Sequence, residues 1–159
     1  MEEKRIRSYG ITIGELPTGR YNKITDVPGV TVGHSTIDTE EHKTGVTVVM
    51  PCQDNIFASK MLASCFVWNG FGKTTGLVQI KELGTLETPI VLTNTLNVGL
   101  MQDALVEYMV RRCEKDEVPL KSLNPVVAEC NDSYLNHISK RAVKEEHLFA
   151  AIDAATEDF

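Results

Sequence analysis

The sequence lacks the features that mark membrane, secreted and nucleic-acid-binding proteins. Glycine, proline or charge interrupts each apolar stretch well before the ~18 residues that a membrane helix needs. Residues 2–5 are charged and no apolar run follows them, which argues against a signal peptide. The formal charge is −6, whereas binding to a phosphate backbone requires clustered Lys and Arg. We therefore predict a cytoplasmic protein that binds neither membranes nor nucleic acid.

Cysteine and histidine are also few, and their spacing fits no metal or redox motif. No two of the four cysteines lie within four residues of each other, so the sequence holds no zinc ribbon and no redox Cys-x-x-Cys motif. The four histidines show no ligand spacing, either among themselves or with the cysteines. We interpret these histidines as solvated or hydrogen-bonded side chains, and we predict neither a metal nor a cofactor.

The motifs of two large enzyme classes are missing as well. Residues 70–76 resemble a phosphate-binding loop, but Val67 stands five positions before Gly72, where that motif requires glycine. An NTPase using this loop is therefore disfavoured. There is no Gly-x-Ser-x-Gly elbow and no recognisable order of Ser, His and Asp. The sequence thus contains no complete nucleophilic site.

What is present is the composition of one globular domain with an α/β pattern. The chain has 159 residues, of which 42% are hydrophobic and 24% charged. Two echoing runs at 29–32 and 45–48 predict an antiparallel pair of strands, joined by the polar residues 38–44. A further strand is predicted at 11–13. The remaining elements are predicted as strands at 61–68, 88–93 and 125–128 and as helices at 74–83, at 98–115 and from 144 to the end.

The two longest predicted helices carry the clearest signals. Residues 98–115 place apolar side chains at a spacing of three to four, and Asn97 is a suitable N-cap. The last helix carries one apolar face up to Phe159, with no polar tail after it. Natural domains usually end in a cap or a frayed polar stretch. We therefore expect further chain beyond this point in the intact protein.

Polar side chains follow two of the predicted strands. Asn94 follows the strand at 88–93, and Asn136 lies in the polar stretch that follows the strand at 125–128. Sites in α/β proteins collect where strands give way to loops, and an asparagine amide can donate to a developing oxyanion. From these residues alone, the more ordinary interpretation of each asparagine is a turn residue or a helix cap.

Six segments, taken in order, show a resemblance to the L-aminopeptidase/D-esterase family, which includes the β-aminopeptidases. The segments are ITDVPGVTVGH at 24–34, GVTVVMP at 45–51, NG at 69–70, TG at 75–76, TPIVLTNT at 88–95 followed by VG at 98–99, and VVAE at 126–129 leading to NDSYLN at 131–136. No single segment is decisive, but six in family order are specific.

This resemblance implies an enzyme whose active site is formed by two chains. Members of the family are made as one precursor that cleaves itself into an α and a β chain, and the new N-terminal Ser or Thr of the β chain is the nucleophile. An N-terminal residue can activate its hydroxyl with its own α-amine. The resemblance identifies this sequence as the α chain. It implies a layered α/β sandwich of sheets and helices shared with the companion β chain, and a homo-oligomer of αβ units.

The resemblance also implies an activity and the residues that serve it. The substrate would be a small peptide, amino-acid amide or ester from which the N-terminal amino acid is removed. Asn136 matches the family's Leu-Asn pattern and would be the oxyanion donor. Asn94 matches the Leu-Thr-Asn-Thr pattern and would line or brace the pocket.

The sequence departs from the family at three places. Lys73 stands where some members carry an acidic residue, Leu77 to Gln79 stand where some carry an aromatic one, and His137 follows Asn136 where an acidic residue is common. The substrate preference of those members is therefore not transferred to this chain. The alternative hypothesis is a related scaffold without catalysis that binds a small ligand or a protein partner.

Overall fold

A four-stranded mixed sheet organises the chain in the computed structural model, which describes residues 4–159. In chain order the elements are β1 (Thr31–Asp38), β2 (Lys43–Met50), β3 (Met61–Leu62), α1 (Leu77–Leu83), β4 (Thr85–Leu86), β5 (Ile90–Asn94), α2 (Val98–Lys115), β6 (Val126–Cys130) and α3 (Glu145–Asp153), with 3-10 helices at Ile6–Tyr9, Ile24–Asp26, Thr95–Asn97 and Ile138–Lys140. The main sheet has the order β1-β2-β5-β6, and β3 and β4 form a small second sheet.

The register of the main sheet follows from the echoing runs. β1 and β2 pair antiparallel from Thr31 opposite Met50 to Asp38 opposite Lys43, so the predicted hairpin is confirmed. β5 pairs antiparallel with β2 and parallel with β6. A parallel pair needs a crossover connection, and α2 supplies it between β5 and β6. The carboxyl ends of β5 and β6 therefore meet at one edge of the sheet.

One face of the sheet is covered by the two long helices. α2 contacts β5 and β6, whereas α3 contacts β1 and β2. The apolar stripe of α2 is buried as its spacing predicts, and Met101 and Leu105 are fully buried in the same hydrophobic core as Val48 and Val91. Strand residues alternate between faces, so Leu92 points to the opposite face, where it is 41% exposed.

Three sequence predictions of elements are wrong. Residues 11–13 form no strand, and Ile11 and Ile13 are exposed, because no neighbouring strand pairs with them. Of residues 61–68 only the first two are a strand, and Trp68, 89% exposed, lies in a loop. The last helix ends at Asp153 instead of running to the terminus. Thr156 turns back to pair with Val32 of β1.

The proposed cap of α2 is also wrong. Asn97 precedes the helix, but its side chain makes no capping hydrogen bond. Its amide Nδ2 instead donates to the carbonyl of Val143 at 2.9 Å, and the residue is fully buried. The side chain therefore joins the start of α2 to the segment before α3, a contact across 46 residues of sequence.

The described helices are too short or too polar to traverse a bilayer: across residues 4–159, no helix combines the length and apolar character that a membrane span requires.

Candidate active site

The carboxyl edge of the sheet collects the polar residues that the sequence singled out. Because β5 and β6 are parallel, Thr93 pairs with Glu129 and Asn94 with Cys130. A cavity of about 400 Å³ lies at this edge, and we call it the edge cavity. Its lining comprises Thr36, Lys43, Thr44, Gly45, Val46, Thr47, Leu92, Thr93, Asn94, Glu129, Cys130 and Asp132.

Asn94 braces this edge. It is 2% exposed, and its Nδ2 donates to the hydroxyl of Thr44 at 3.0 Å, which ties the end of β5 to the start of β2. Its Oδ1 is buried without a hydrogen-bond partner among residues 4–159. A buried acceptor left unpaired typically costs about 1–3 kcal/mol. The geometry is that of a brace, and a catalytic part for Asn94 stays a prediction.

Asn136 is held on both sides of its amide group. The residue is 4% exposed, and its Nδ2 donates to a carboxylate oxygen of Asp132 at 3.0 Å. Its Oδ1 accepts a hydrogen bond from Nδ1 of His42 at 2.6 Å. One N–H of the amide is thus left without an acceptor in the described part of the chain. Such a fixed, uncommitted donor is what an oxyanion requires.

The two predicted site residues do not line one common cavity. Asn94 lines the edge cavity directly, whereas Asn136 is connected to it through Asp132, which belongs to that lining. Asn136 itself lines a neighbouring surface depression together with Glu41 and His137. Asp132, which bonds Asn136, and Asn94 thus line the same cavity at this end of the sheet.

His42 is the site neighbour that the sequence interpretation missed. It lies in the turn between β1 and β2, where its backbone N–H donates to the hydroxyl of Thr39 at 3.1 Å. The ring of His137 stands edge-on to it at 6.3 Å between ring centres. His42 and Asn136 are 94 residues apart. No local pattern predicts a contact at that separation, and only the folded hairpin makes it.

A second cavity adjoins the first. It encloses about 460 Å³, and we call it the aromatic cavity. Its lining comprises Phe66, Val67, Trp68, Asn69, Gly70, Phe71, Gly72, Thr74, Leu77, Glu129, Cys130 and Asn131. Glu129 and Cys130 line both cavities, so this end of β6 connects them.

The carboxylate of Glu129 is fixed by two donors. Its Oε2 accepts a hydrogen bond from the hydroxyl of Thr95, and its Oε1 accepts a long one from the backbone N–H of Lys73 at 3.4 Å. The ammonium group of Lys73 turns elsewhere, because it donates to the carbonyl of Phe71 at 2.6 Å and lies 3.5 Å from the centre of that ring. Lys73 is thus near Glu129 only through its backbone.

The ionisable groups whose pKa is shifted from its ordinary value lie mainly outside these cavities. Burial raises the pKa of the Cys52 thiol, which lies at the end of β2. Hydrogen bonds from the backbone N–H groups of residues 21 and 23 hold the pKa of Asp26 below its ordinary value. Among residues 4–159, no three His, Cys, Asp or Glu side chains are placed together to hold a metal ion.

Comparison with known proteins identifies the family. Residues 22–159 match peptidase family S58. The chain therefore belongs to this peptidase family, as its ordered segments predict.

Two curated relatives of the chain are β-peptidyl aminopeptidases. The β-peptidyl aminopeptidase BapA of Sphingosinicella xenopeptidilytica is 35% identical over 160 residues, which cover 95% of this chain and 39% of that protein. The protein of the same name from Sphingosinicella microcystinivorans is also 35% identical, over 97% of this chain and 40% of its own length. The chain thus spans about two fifths of the length of these curated relatives.

Solved structures agree with the relatives. A protein of Pyrococcus horikoshii superposes with a TM-score of 0.90 at 47% identity, over 98% of this chain and 47% of its own. A Burkholderia β-aminopeptidase superposes with a TM-score of 0.88 at 41% identity, over 96% of this chain and 44% of its own. An L-aminopeptidase D-Ala-esterase/amidase of Ochrobactrum anthropi superposes with a TM-score of 0.86 at 32% identity, over 98% of this chain and 45% of its own. That protein is described as a new variant of the Ntn-hydrolase fold. The predicted α/β fold class is confirmed.

Proposed function

We propose that this chain is the α chain of a self-processed aminopeptidase that removes the N-terminal amino acid from small peptides, amides or esters. The observation that carries the proposal is the Asn136 amide, which is fixed by His42 and Asp132 and keeps one donor uncommitted. Membership in a peptidase family supports it. The names of the relatives, β-peptidyl aminopeptidases, and their much greater length support it as well.

The proposed reaction divides between two chains. The hydroxyl of an N-terminal Ser or Thr on the companion β chain attacks the substrate carbonyl, and its proton passes to the α-amine of the same residue. The carbonyl oxygen becomes an oxyanion, to which the free N–H of Asn136 donates. The C–N bond then breaks, and the leaving amine takes the proton. Water hydrolyses the resulting ester, which releases the amino acid and restores the hydroxyl.

The chain exposes apolar surface that a companion β chain could cover. The sheet face that carries Leu92 is not covered by α2 or α3, and the loop with Phe66, Trp68 and Phe71 exposes three aromatic rings. Exposed apolar surface of this extent usually marks an interaction site. The companion β chain is proposed to cover this surface. The cytoplasmic location and the assembly of αβ units into a homo-oligomer stay predictions.

The experiment substitutes Asn136 by alanine in the enzyme that contains both chains. We expect kcat for an amino-acid p-nitroanilide to fall by about 10²- to 10³-fold, the usual effect of losing one oxyanion donor. The matched control is Asn124→Ala, the same chemical change at an exposed residue outside both cavities. Circular dichroism verifies that both variants fold. Unchanged turnover in Asn136→Ala would contradict the proposal.

A further inference from the structure

Residues 156–159, which we call the exit segment, follow α3 and contact parts of the chain that lie far away in sequence. The backbone of Thr156 exchanges two hydrogen bonds with that of Val32, each 3.0 Å long, at the outer edge of β1. The hydroxyl of Thr25 donates to the carbonyl of Glu157 at 2.6 Å. Backbone groups of the exit segment are therefore bonded both to the main sheet and to the segment that precedes it.

The side chain of Lys23 holds the exit segment as well. Its ammonium group forms an ion pair with Asp158 at 2.7 Å, and the Lys23 side chain is only 7% exposed. The same group lies 4.8 Å from the centre of the Phe159 ring, and aromatic faces attract cations. A lysine is rarely withdrawn from water unless its charge is satisfied. The contacts with Asp158 and Phe159 satisfy the charge of Lys23.

The exit segment reaches the open face of the main sheet, the face that carries Leu92. Gly33 of β1 faces α3, because a Cβ atom added there would lie 1.8 Å from the carbonyl oxygen of Ala151. Neighbouring residues of a strand point to opposite faces, so His34 points to the open face. The ring of Phe159 lies 5.4 Å from the ring of His34. The exit segment thus passes from the helix-covered side of the sheet to the open side.

His34 connects this position with the edge cavity. Its Nδ1 lies 2.8 Å from the hydroxyl of Thr47, which lines that cavity. Thr36, two residues further along β1, lines the cavity too. So does Asp132, which bonds Asn136. One side chain, that of His34, therefore lies between the exit segment and the lining of the edge cavity.

We propose that Lys23, Thr25 and the edge of β1 form a docking site for the exit segment, which positions the precursor for self-cleavage. The inference rests on the proposed function, in which the precursor continues past this segment to the peptide bond that is cut. That cut is a hydrolysis. Water supplies the hydroxyl of the new α-chain carboxyl group, and its other proton goes to the amine of the new N-terminal Ser or Thr.

Docking would act by shortening the part of the chain that is free to move. The effective concentration of a tethered group at its site falls as the flexible tether becomes longer. Attack on a carbonyl requires the reacting atoms to be held about 3–3.5 Å apart. Loss of the docking site should therefore slow cleavage. It should not slow the cleaved enzyme, because the nucleophile is then no longer attached to the exit segment.

The test follows cleavage of the precursor after cell-free translation of the whole gene, with the uncleaved fraction measured by intact mass. Lys23→Met removes the ion pair and the contact with the Phe159 ring, so the half-time should rise about 3- to 30-fold. Lys23→Arg keeps the cation and should restore most of the rate. Lys121→Met is the matched control at an exposed residue between α2 and β6, and it should be cleaved like the wild type.

The turnover of the cleaved enzyme separates positioning from a general loss of structure. Once cleavage is complete, kcat for an amino-acid p-nitroanilide should be the same in Lys23→Met as in the wild type. Phe159→Ala covers the case in which Lys23→Met does not fold, because it removes the ring that contacts Lys23 and His34. This variant should slow cleavage in the same way. Cleavage of both variants at the wild-type rate would overturn the inference.

Hydrogen exchange tests the docking contact itself, without reference to cleavage. Peptides that contain the amides of Val32 and Thr156 should exchange about 3- to 30-fold faster in Lys23→Met and Phe159→Ala than in the wild type, because their mutual hydrogen bonds open more often. Unchanged exchange in both variants would also overturn the inference. A wild-type precursor that is never cleaved would instead contradict the proposed function, and the exchange measurement would still test the docking site.

Discussion

At the scale of single residues, the proposed oxyanion donor depends on the orientation of one amide, that of Asn136. The Oδ1 of Asn136 accepts a hydrogen bond, so His42 must carry its hydrogen on Nδ1. This bond and the one to Asp132 fix which end of the amide presents its N–H group. Under the proposed function His42 would be a positioning residue, although it lies outside every segment that carries the family resemblance.

Replacing His42 should weaken catalysis without weakening substrate binding. In His42→Phe the ring remains but the donor is lost, so we expect kcat to fall about tenfold, the effect of one lost hydrogen bond, while KM stays the same. His42→Asn can place an amide N–H where Nδ1 stands and should recover much of the rate. Steady-state kinetics of the three proteins measure this. If Phe and Asn variants are equally active, His42 does not orient Asn136.

The sequence predicted residues of the site unevenly. Asn94 and Asn136 were singled out because they stand in ordered family segments, and Glu129 directly follows the strand predicted at 125–128. The catalytic parts of the two asparagines stay predictions. Asn97 was misassigned as a cap, because its real partner, the carbonyl of Val143, lies 46 residues away. Local pattern indicates which residues are polar near a strand end, but hydrogen bonds across the fold decide what each side chain does.

At the scale of elements, α3 packs closely against β1 at Gly33. A Cβ atom added to Gly33 of β1 would lie 1.8 Å from the carbonyl oxygen of Ala151 in α3. A contact with backbone cannot be relieved by a rotamer change, so the helix would have to move.

Gly33→Ala should therefore destabilise the protein by about 1–3 kcal/mol, the usual cost of overpacking. Gly99→Ala is the matched control, because a Cβ atom there meets nothing within 4 Å and the exposed position lies inside α2. Alanine should stabilise that helix by about 0.5–1 kcal/mol. Urea unfolding of the two-chain protein gives both values. A Gly33→Ala midpoint equal to the wild-type midpoint would show that α3 does not pack this closely.

Glu87 links the loops that precede β5 and β6, and it makes their stability depend on pH. Its carboxylate accepts a hydrogen bond from the backbone N–H of Asn124 at 2.9 Å and forms an ion pair with the Lys60 ammonium at 3.0 Å. Burial alone would raise the pKa of Glu87, but hydrogen bonds from Gln79, Asn124 and Lys60 outweigh burial and lower the pKa below 4.5. A depressed folded-state pKa contributes stability above the unfolded pKa, and this stability is lost as pH falls through the folded pKa.

Glu87→Gln should consequently lower the free energy of unfolding at about pH 7. The difference from wild type should shrink as the pH is reduced below about 4.5, because the wild-type carboxylate is then protonated too. Denaturant unfolding at several pH values measures both curves. A constant difference across this range would mean that the charge of Glu87 does not contribute.

The regular elements were predictable where the pattern is long. The bounds of α2 were predicted as observed, because an apolar stripe specifies them locally. The antiparallel pairing of β1 and β2 was predicted from two echoing runs, but both strands are longer than the runs at 29–32 and 45–48. The strand at 11–13 was wrong, since a strand requires a partner that no local pattern supplies. The end of the last helix was also wrong, because Thr156 pairs with Val32, far away in sequence.

At the scale of the whole molecule, the chain has one covered and one open sheet face. Side chains of α2 and α3 bury one face, whereas Leu92 on the other and the rings of Phe66, Trp68 and Phe71 remain exposed. A sequence shows the alternation of apolar residues along each strand. It does not show what covers each face, because that is settled by the rest of the molecule.

This exposure predicts that residues 1–159, produced alone, associate or aggregate. Apolar patches of this kind lower their free energy by leaving water. Sedimentation velocity over a range of concentrations measures the association, and addition of the companion chain should suppress it. A monodisperse monomer that unfolds cooperatively would contradict the prediction.

The central claim is that the oxyanion donor lies on this chain and the nucleophile on another. Intact-mass measurement with N-terminal sequencing, applied to the active enzyme purified after expression of its whole gene, tests the claim most directly. We predict two polypeptides, one containing Asn136 and the other beginning with Ser or Thr. An active enzyme that consists of one uncleaved polypeptide, or a companion that begins with any other residue, would contradict it.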